Sequence, residues 1–202
     1  MGRRLTGRLV LATHNGGKLA EFRELLRPFG VDVTSVGELG LPVPEETGET
    51  FAENACIKAL AALSATGLPS LADDSGLCVA ALGGAPGVHT ADWAGPERDW
   101  DAAMNRLERE LQAVSAARPD QRRGTFVSVL AVVWPDGHTE EFEGRADGIL
   151  VWPPRGERGH GYDPMFQPDG GTLTFAEMTE DEKNTRSHRA RSFAAFSKAC
   201  LG

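Results

Sequence analysis

The chain has 202 residues, 41% of them hydrophobic and 25% charged, which is typical of a globular protein with one large domain or two small ones. Its 21 Lys and Arg residues against 29 Asp and Glu residues leave a net charge of −8, which argues against a nucleic-acid polymer as partner. The 3 cysteines form no CxxC pair, and the apolar run near the N-terminus stops at Ala12. We therefore expect a soluble cytoplasmic protein without a disulfide framework, zinc site or membrane span.

The first part of the chain predicts a strand, a loop, a helix and a second strand. An apolar run over residues 9–12 is typical of a buried strand, and residues 31–36 alternate apolar and polar as a half-exposed strand does. Between them, spacings of three and four predict a helix that ends at Gly30. Its apolar face is predicted to hold Leu19, Phe22, Leu25, Leu26 and Phe29.

The middle of the chain begins with a Pro- and Glu-rich stretch over residues 41–49, which cannot be regular structure. Thr50 and Glu53 then have capping-box spacing and predict a helix that Gly67 ends. Another helix is expected from about Asp99. Its inner face is predicted to carry Met104, Leu107, Leu111 and Val114.

A β-branched run over residues 125–134 is the strongest strand signal, and a turn joins it to a polar strand over residues 138–143. The last helix is expected to carry Phe193, Phe196 and Cys200 on one side. We find no repeat or linker. Residues 1–202 therefore predict a single α/β domain, with two lobes around a central cleft.

The loop after the first strand has the features of a phosphate cradle, because a strand, Gly-rich turn, lysine and helix N-terminus follow one another. It is not a Walker A loop, since Ala12 and Leu19 stand where that motif needs Gly and Ser or Thr. An ordinary turn with a surface lysine is the alternative. The loop consists of Thr13, His14, Asn15, Gly16, Gly17 and Lys18.

Carboxylates are dense in two places. Glu45, Glu46, Glu49 and Glu53 surround a predicted helix start, where acids also complement the helix dipole. Asp73 and Asp74 are predicted in a turn between short strands over residues 70–72 and 77–82, where an Asx-turn is the alternative to a site. Hard oxygen ligands of this kind suit Mg²⁺, and adjacent dry acids need a metal or donor partner.

A basic segment precedes and begins the last predicted helix, where cations oppose the helix dipole. It contains Lys183, Arg186, His188, Arg189 and Arg191, which could read a carbonyl edge or simply form a solvated face. The loop over residues 159–164 adds glycines beside His160 and Tyr162, whose rings could stack on a ligand. Together, these features predict a Mg²⁺–nucleotide site.

At these residues the chain resembles the inosine/xanthosine triphosphate pyrophosphatase family, the dITP/XTP pyrophosphatases. The resemblance runs over nearly the whole chain, through the motifs at residues 11–18, 45–55, 72–77, 82–87, 161–164 and 183–189. It implies a bent mixed β-sheet flanked by helices, a homodimer, and hydrolysis of deaminated purine nucleoside triphosphates (ITP, dITP, XTP) to monophosphate and pyrophosphate. A Maf-like pyrophosphatase for other modified nucleotides and a non-catalytic nucleotide sensor are the alternatives.

The resemblance also implies roles for the phosphate end of the site. Residues 13–18 wrap the triphosphate, and Lys58 and Lys183 add positive charge. Glu45 and Asp74 hold Mg²⁺, Asp74 is the general base for the attacking water, and Ser75 touches substrate.

The same resemblance implies that His160, Gly161, Tyr162 and Asp163 line the base and sugar pocket, and that His188 and Arg189 donate to the 6-oxo group. The chain departs from the family pattern twice. His160 replaces a frequent Phe, and residues 89–92 read His-Thr-Ala-Asp where the family often has Tyr-Ser-Ala-Arg.

Overall fold

The structure, a computed structural model, describes residues 2–202. Its strands are β1 (Arg8–Leu11), β2 (Asp32–Ser35), β3 (Ser70–Val79), β4 (Arg123–Val133), β5 (Thr139–Leu150) and β6 (Phe166–Pro168). Its α-helices are α1 (Gly16–Leu26), α2 (Phe51–Thr66), α3 (Trp100–Ala113), α4 (Glu180–Arg186) and α5 (His188–Phe196).

The six strands form one sheet in the order β2-β1-β3-β4-β5-β6. β1 pairs in parallel with β2 and β3, whereas β5 and β6 are antiparallel. The parallel pairs follow from the helical connections α1 and α2, since a crossover is needed to bring a strand back in the same direction. The predicted mixed α/β sheet is confirmed.

The chain divides into two compact units. Unit 1 comprises the residues up to Asp74, with Val129–Glu143 and Ser192–Gly202. Unit 2 comprises Ser75–Ser128 and Gly144–Arg191. Each unit has its own buried apolar core. The central cleft and the assignment of residues 1–202 to one domain stay predictions.

In unit 1, successive residues of each strand join different clusters, because side chains alternate across a sheet. Leu71 packs in a cluster with Leu19 of α1. The next residue, Ala72, packs instead with Ala59 of α2. α1 and α2 therefore cover different faces of β3, which decides where the two following acids point.

Local capping fixes the start and end of α2 as the sequence predicted, and also the start of α3. The Thr50 hydroxyl accepts a hydrogen bond from the Glu53 amide at 3.2 Å, and the Glu53 carboxylate accepts one from the Thr50 amide at 3.0 Å. Gly67 ends α2 with φ of 69°. Asp99 caps α3 through the Ala102 amide at 2.9 Å.

Several predicted details are wrong. β3 is continuous through the acids, so the turn predicted at residues 73–76 does not exist. The polar strand extends to Leu150 because its second half pairs with β6. Three residues predicted on inner helix faces are exposed, because each lies at or near a helix end: Leu25, Phe29 and Val114. In residues 2–202, no helix combines the length and apolarity needed to cross a membrane.

Candidate functional site

The predicted phosphate loop follows β1 and caps α1. The Asn15 side-chain oxygen accepts hydrogen bonds from the amides of Gly17 at 2.8 Å and Lys18 at 3.1 Å. Residues 14–17 are exposed, and Thr13 and Lys18 are half-buried. The loop is thus open to a ligand, but two of the amides expected to cradle phosphate donate to the Asn15 cap instead.

The two adjacent acids lie inside β3 and pair with lysines from different helices. Lys18 of α1 donates to Asp73 at 2.5 Å, while Lys58 of α2 donates to Asp74 at 2.8 Å. Strand alternation turns the carboxylates to opposite faces. The prediction that at least one of the adjacent acids has a metal or donor partner is therefore confirmed, since each has a lysine, and the Asx-turn alternative is wrong.

Lys58 also contacts the Glu- and Pro-rich stretch, because its ammonium lies 3.1 Å from a Glu46 carboxylate oxygen. The Lys58 and Asp74 side chains are only 13% and 14% exposed. Burial raises the pKa of Asp74, and Lys58 only partly offsets this effect, so the net shift is upward. Burial alone would lower the pKa of Lys58, but the negative charge of Asp74 and of neighbouring acids raises it.

The carboxylate oxygens of these acids are chemically suited to bind a hard divalent cation. Within residues 2–202, no three His, Cys, Asp or Glu side chains are already gathered for a metal. Mg²⁺, however, is commonly held by one or two carboxylates together with substrate phosphates and water. Glu45, one of the two predicted ligands, is exposed. The neighbouring Glu46, to which no role had been assigned, is the one that contacts Lys58.

In unit 2, Asp163 organises the loop that carries His160. Its buried carboxylate accepts hydrogen bonds from the His160 amide at 2.6 Å and from the Lys183 ammonium at 2.5 Å. Gly159 is required here, because its φ is +81° and a Cβ would lie 2.2 Å from an Asp163 oxygen. Asp163 is thus a structural anchor for the loop, and Lys183 is its counter-ion.

The His160 ring is exposed and packs edge-on against Trp100, with the ring centroids 4.9 Å apart. Partial burial of the imidazole, followed by the positive charge of Arg189, holds the pKa of His160 below its ordinary value. The sequence analysis did not identify Trp100 as a partner of His160. An aromatic residue directly after Asp99, at the expected helix start, was a signal that could have identified it.

Two predicted ligand contacts need correction. Tyr162 is 1% exposed inside the core of unit 2, so it does not offer the open stacking face that its neighbourhood of glycines predicted. His188 is 6% exposed, and its ring stacks on Phe126 with centroids 4.9 Å apart. Arg189, in contrast, is exposed. The remaining predicted residues in this part of the chain, Ser75 and Gly161, are half-buried.

The basic segment is split between two helices. Ser187 adopts an extended conformation (φ −70°, ψ 155°), so α4 ends at Arg186 and α5 begins at His188. Lys183 and Arg186 therefore occupy the last turn of α4, where cations complement the helix dipole. The argument that the whole segment opposes a dipole is wrong for these two residues.

A cavity of about 720 Å³ in unit 2 contains none of the predicted site residues. Its wall includes Glu108 and Arg122, which form an ion pair at 2.5 Å with side chains about nine-tenths buried. Gln112 and the Leu150 carbonyl complete the hydrogen bonding. The pair therefore ties α3 to the end of β5.

The mixed sheet makes this an α/β protein. The lysine-paired acids on β3 form a compact cluster of opposite charges at the carboxyl end of the parallel pair β1 and β3. The Ham1 family model matches residues 9–199, and the chain belongs to this family. The family that the sequence motifs predicted is thereby confirmed.

Known relatives match the chain over all or nearly all of its length. A Bradyrhizobium diazoefficiens protein named dITP/XTP pyrophosphatase is 58% identical over 208 residues, covering 100% of this chain and 99% of that protein. A HAM1 protein structure from Coxiella burnetii superposes with a TM-score of 0.89 at 38% identity, covering 95% of this chain and 96% of that one. A Mycobacterium abscessus structure, described as a nucleoside-triphosphatase / dITP/XTP pyrophosphatase, gives 0.80 at 41% identity, covering 94% and 98%.

Proposed function

We propose that this protein hydrolyses deaminated purine nucleoside triphosphates (ITP, dITP and XTP) to the monophosphate and pyrophosphate, and so removes them from the nucleotide pool. Full-length relatives at 51–58% identity carry the name dITP/XTP pyrophosphatase. The observation that carries the proposal is the Asp74–Lys58 pair, since a half-buried carboxylate with a raised pKa is suited to accept a proton.

The triphosphate is bound by Thr13, by residues 15–18 and by Lys58, and Lys183 adds positive charge. Glu45 and Asp74 would hold Mg²⁺, which would neutralise charge on the phosphate oxygens. Asp74 accepts a proton from water as the water oxygen attacks the α-phosphorus. The bond to the bridging oxygen of the β-phosphate breaks, pyrophosphate leaves, and Lys18 stabilises its developing charge.

Purine specificity comes from donors that face position six. Arg189 donates to the carbonyl of hypoxanthine or xanthine, whereas the amino group of adenine would leave this donor without an acceptor. Such a mismatch costs about 1–3 kcal/mol for a neutral group and more for a charged one. His188 is buried against Phe126, and the exposed His160 offers a ring to the base.

We also place the protein in the cytoplasm as a homodimer. Three cysteines without a CxxC pair support a reducing compartment. Light scattering after size-exclusion chromatography tests the dimer, since a monomer mass at micromolar concentration would refute it.

The function is tested by mixing the protein with ITP and Mg²⁺ and measuring IMP and pyrophosphate. We expect equimolar products, and much slower turnover of ATP. Preference for a modified pyrimidine triphosphate in the same assay would favour the Maf-like alternative. Tight ITP binding without product would favour the sensor.

A further inference from the structure

The segment over residues 42–47, here called the acidic segment, connects β2 to α2 without regular structure. It carries Glu45 and Glu46, and Glu46 reaches Lys58 at 3.1 Å. A segment without its own secondary structure holds a side chain in place only if its ends are fixed. Both ends of the acidic segment are fixed in this structure. The side chains that fix them have no such role in the proposed reaction.

The first end is held by His14. Its Nε2 lies 2.8 Å from the carbonyl oxygen of Leu41, a distance that requires the proton on Nε2. The Leu41 amide donates to the Val36 carbonyl at 3.0 Å, so this residue is bound through both backbone groups. His14 thus ties the phosphate loop to the start of the acidic segment.

The second end is held by Asn54 of α2. Its side-chain oxygen accepts a hydrogen bond from the Gly48 amide at 2.8 Å, and the residue is only 3% exposed. Gly48 lies so close to the helix that a Cβ there would be 2.6 Å from the Glu53 Cβ and 2.7 Å from the Asn54 oxygen. The backbone at this point therefore packs against α2 with no room for a side chain.

We propose that His14 and Asn54 are positioning residues that hold the acidic segment at its two ends, so that Glu45 and Glu46 meet the Lys58–Asp74 pair. The inference rests on the proposed function, because it assigns the segment to the metal and phosphate end of that site. It moves His14 from direct phosphate contact to alignment of the segment, and it gives Asn54 a role.

The chain offers conservative pairs of variants at both ends. Asn54→Leu removes the acceptor with little change in volume, whereas Asn54→Asp keeps an oxygen in the same place. At the exposed first end, His14→Phe removes the donor, and His14→Gln restores an N–H near the position of Nε2. Asn105→Leu is the control, since Asn105 is exposed on α3 and its side chain donates within that helix, to the Asp101 carbonyl at 2.8 Å.

Amide hydrogen exchange is measured first, without nucleotide or metal. We expect Asn54→Leu to speed exchange of the Gly48 amide at least tenfold, with α2 and β3 unchanged and with the Asp variant near wild type. His14→Phe should in the same way speed exchange of the Leu41 amide, which donates to Val36, and this variant folds even if the buried Asn54 variants do not. Wild-type exchange in both Asn54→Leu and His14→Phe would overturn the proposal.

Steady-state kinetics with ITP form the second measurement. We expect the Mg²⁺ concentration for half-maximal rate and the KM to rise about tenfold in Asn54→Leu and His14→Phe, as for a lost hydrogen bond. The kcat at saturation should stay within about threefold, and Asn54→Asp and His14→Gln should recover. Equal losses in the conservative and disruptive variants would overturn the positioning role. A wild-type protein that leaves ITP intact would instead refute the proposed function. In that case amide hydrogen exchange would still show whether His14 and Asn54 hold the two ends of the acidic segment.

Discussion

Lys58→Met tests the electrostatics of the candidate site most directly. Methionine keeps most of the length of the lysine stem and removes only the charge. In the wild type this ammonium lies 2.8 Å from Asp74 and 3.1 Å from Glu46, with 13% of the Lys58 side chain exposed. The substitution therefore leaves two carboxylates without their shared cation, next to a third at Asp73.

The expected cost follows from burial. Removing one partner of a fully buried pair costs about 3–5 kcal/mol, and the 14% exposure of Asp74 lowers our expectation to about 2–4 kcal/mol at pH 7.5. The pKa of Asp74 already lies above its ordinary value because of burial, and loss of Lys58 raises it further. A carboxyl with a raised folded-state pKa destabilises the protein when ionised, so the cost is full above that pKa and disappears as pH falls through it.

Urea unfolding in metal-free buffer at pH 7.5 and at pH 4.5 measures the difference between wild type and variant. We expect the difference to shrink by at least half at the lower pH. Lys198→Met is the control, because Lys198 is exposed near the C-terminus of unit 1 and its loss should cost less than about 0.5 kcal/mol at either pH. A Lys58→Met cost that is the same at both pH values would refute the reasoning.

Asp74→Asn should leave ITP binding within about tenfold while turnover falls by at least a hundredfold, as for loss of a general base, and near-normal turnover would remove Asp74 from the mechanism. Arg189→Ala should reduce the ratio of kcat/KM for ITP over ATP by about tenfold or more, and an unchanged ratio would place base recognition elsewhere. Glu108→Leu should destabilise the protein by about 3–5 kcal/mol in urea because Arg122 stays buried without its partner. Adding Arg122→Met should recover most of that loss, and a double variant as unstable as the single one would contradict this account.

Local sequence signals were sufficient to predict the structure wherever an interaction between residues close in sequence determines it. The capping box at Thr50 and Glu53 and the terminating Gly67 are where the spacing predicted them, and α3 begins next to Asp99, where a helix start was expected. These features depend on residues three or four apart. For the same reason, the order of strand, loop and helix around Lys18 was predictable.

The acids on β3 show where such reasoning fails. Asp, Asp, Ser and Gly in succession favour a turn in isolation. In the folded chain, β3 continues through all four residues, and lysines from α1 and α2 neutralise the two acids. Those lysines lie 55 and 16 residues away in sequence, so no local pattern could report them. The burial of Tyr162 could not be predicted for the same reason. The glycines beside it indicate an open loop, whereas its ring packs in the core.

The charge count of the unit 1 cluster connects its structure to its chemistry. Lys18 and Lys58 face three carboxylates, those of Glu46, Asp73 and Asp74, so one negative charge is left over. A bare triphosphate would be repelled by that excess, whereas a divalent cation reverses it and turns the same surface attractive to phosphate. The two lysines offset most of the negative charge of the acids. We therefore propose that the pairing that stabilises β3 also makes nucleotide binding depend on a metal.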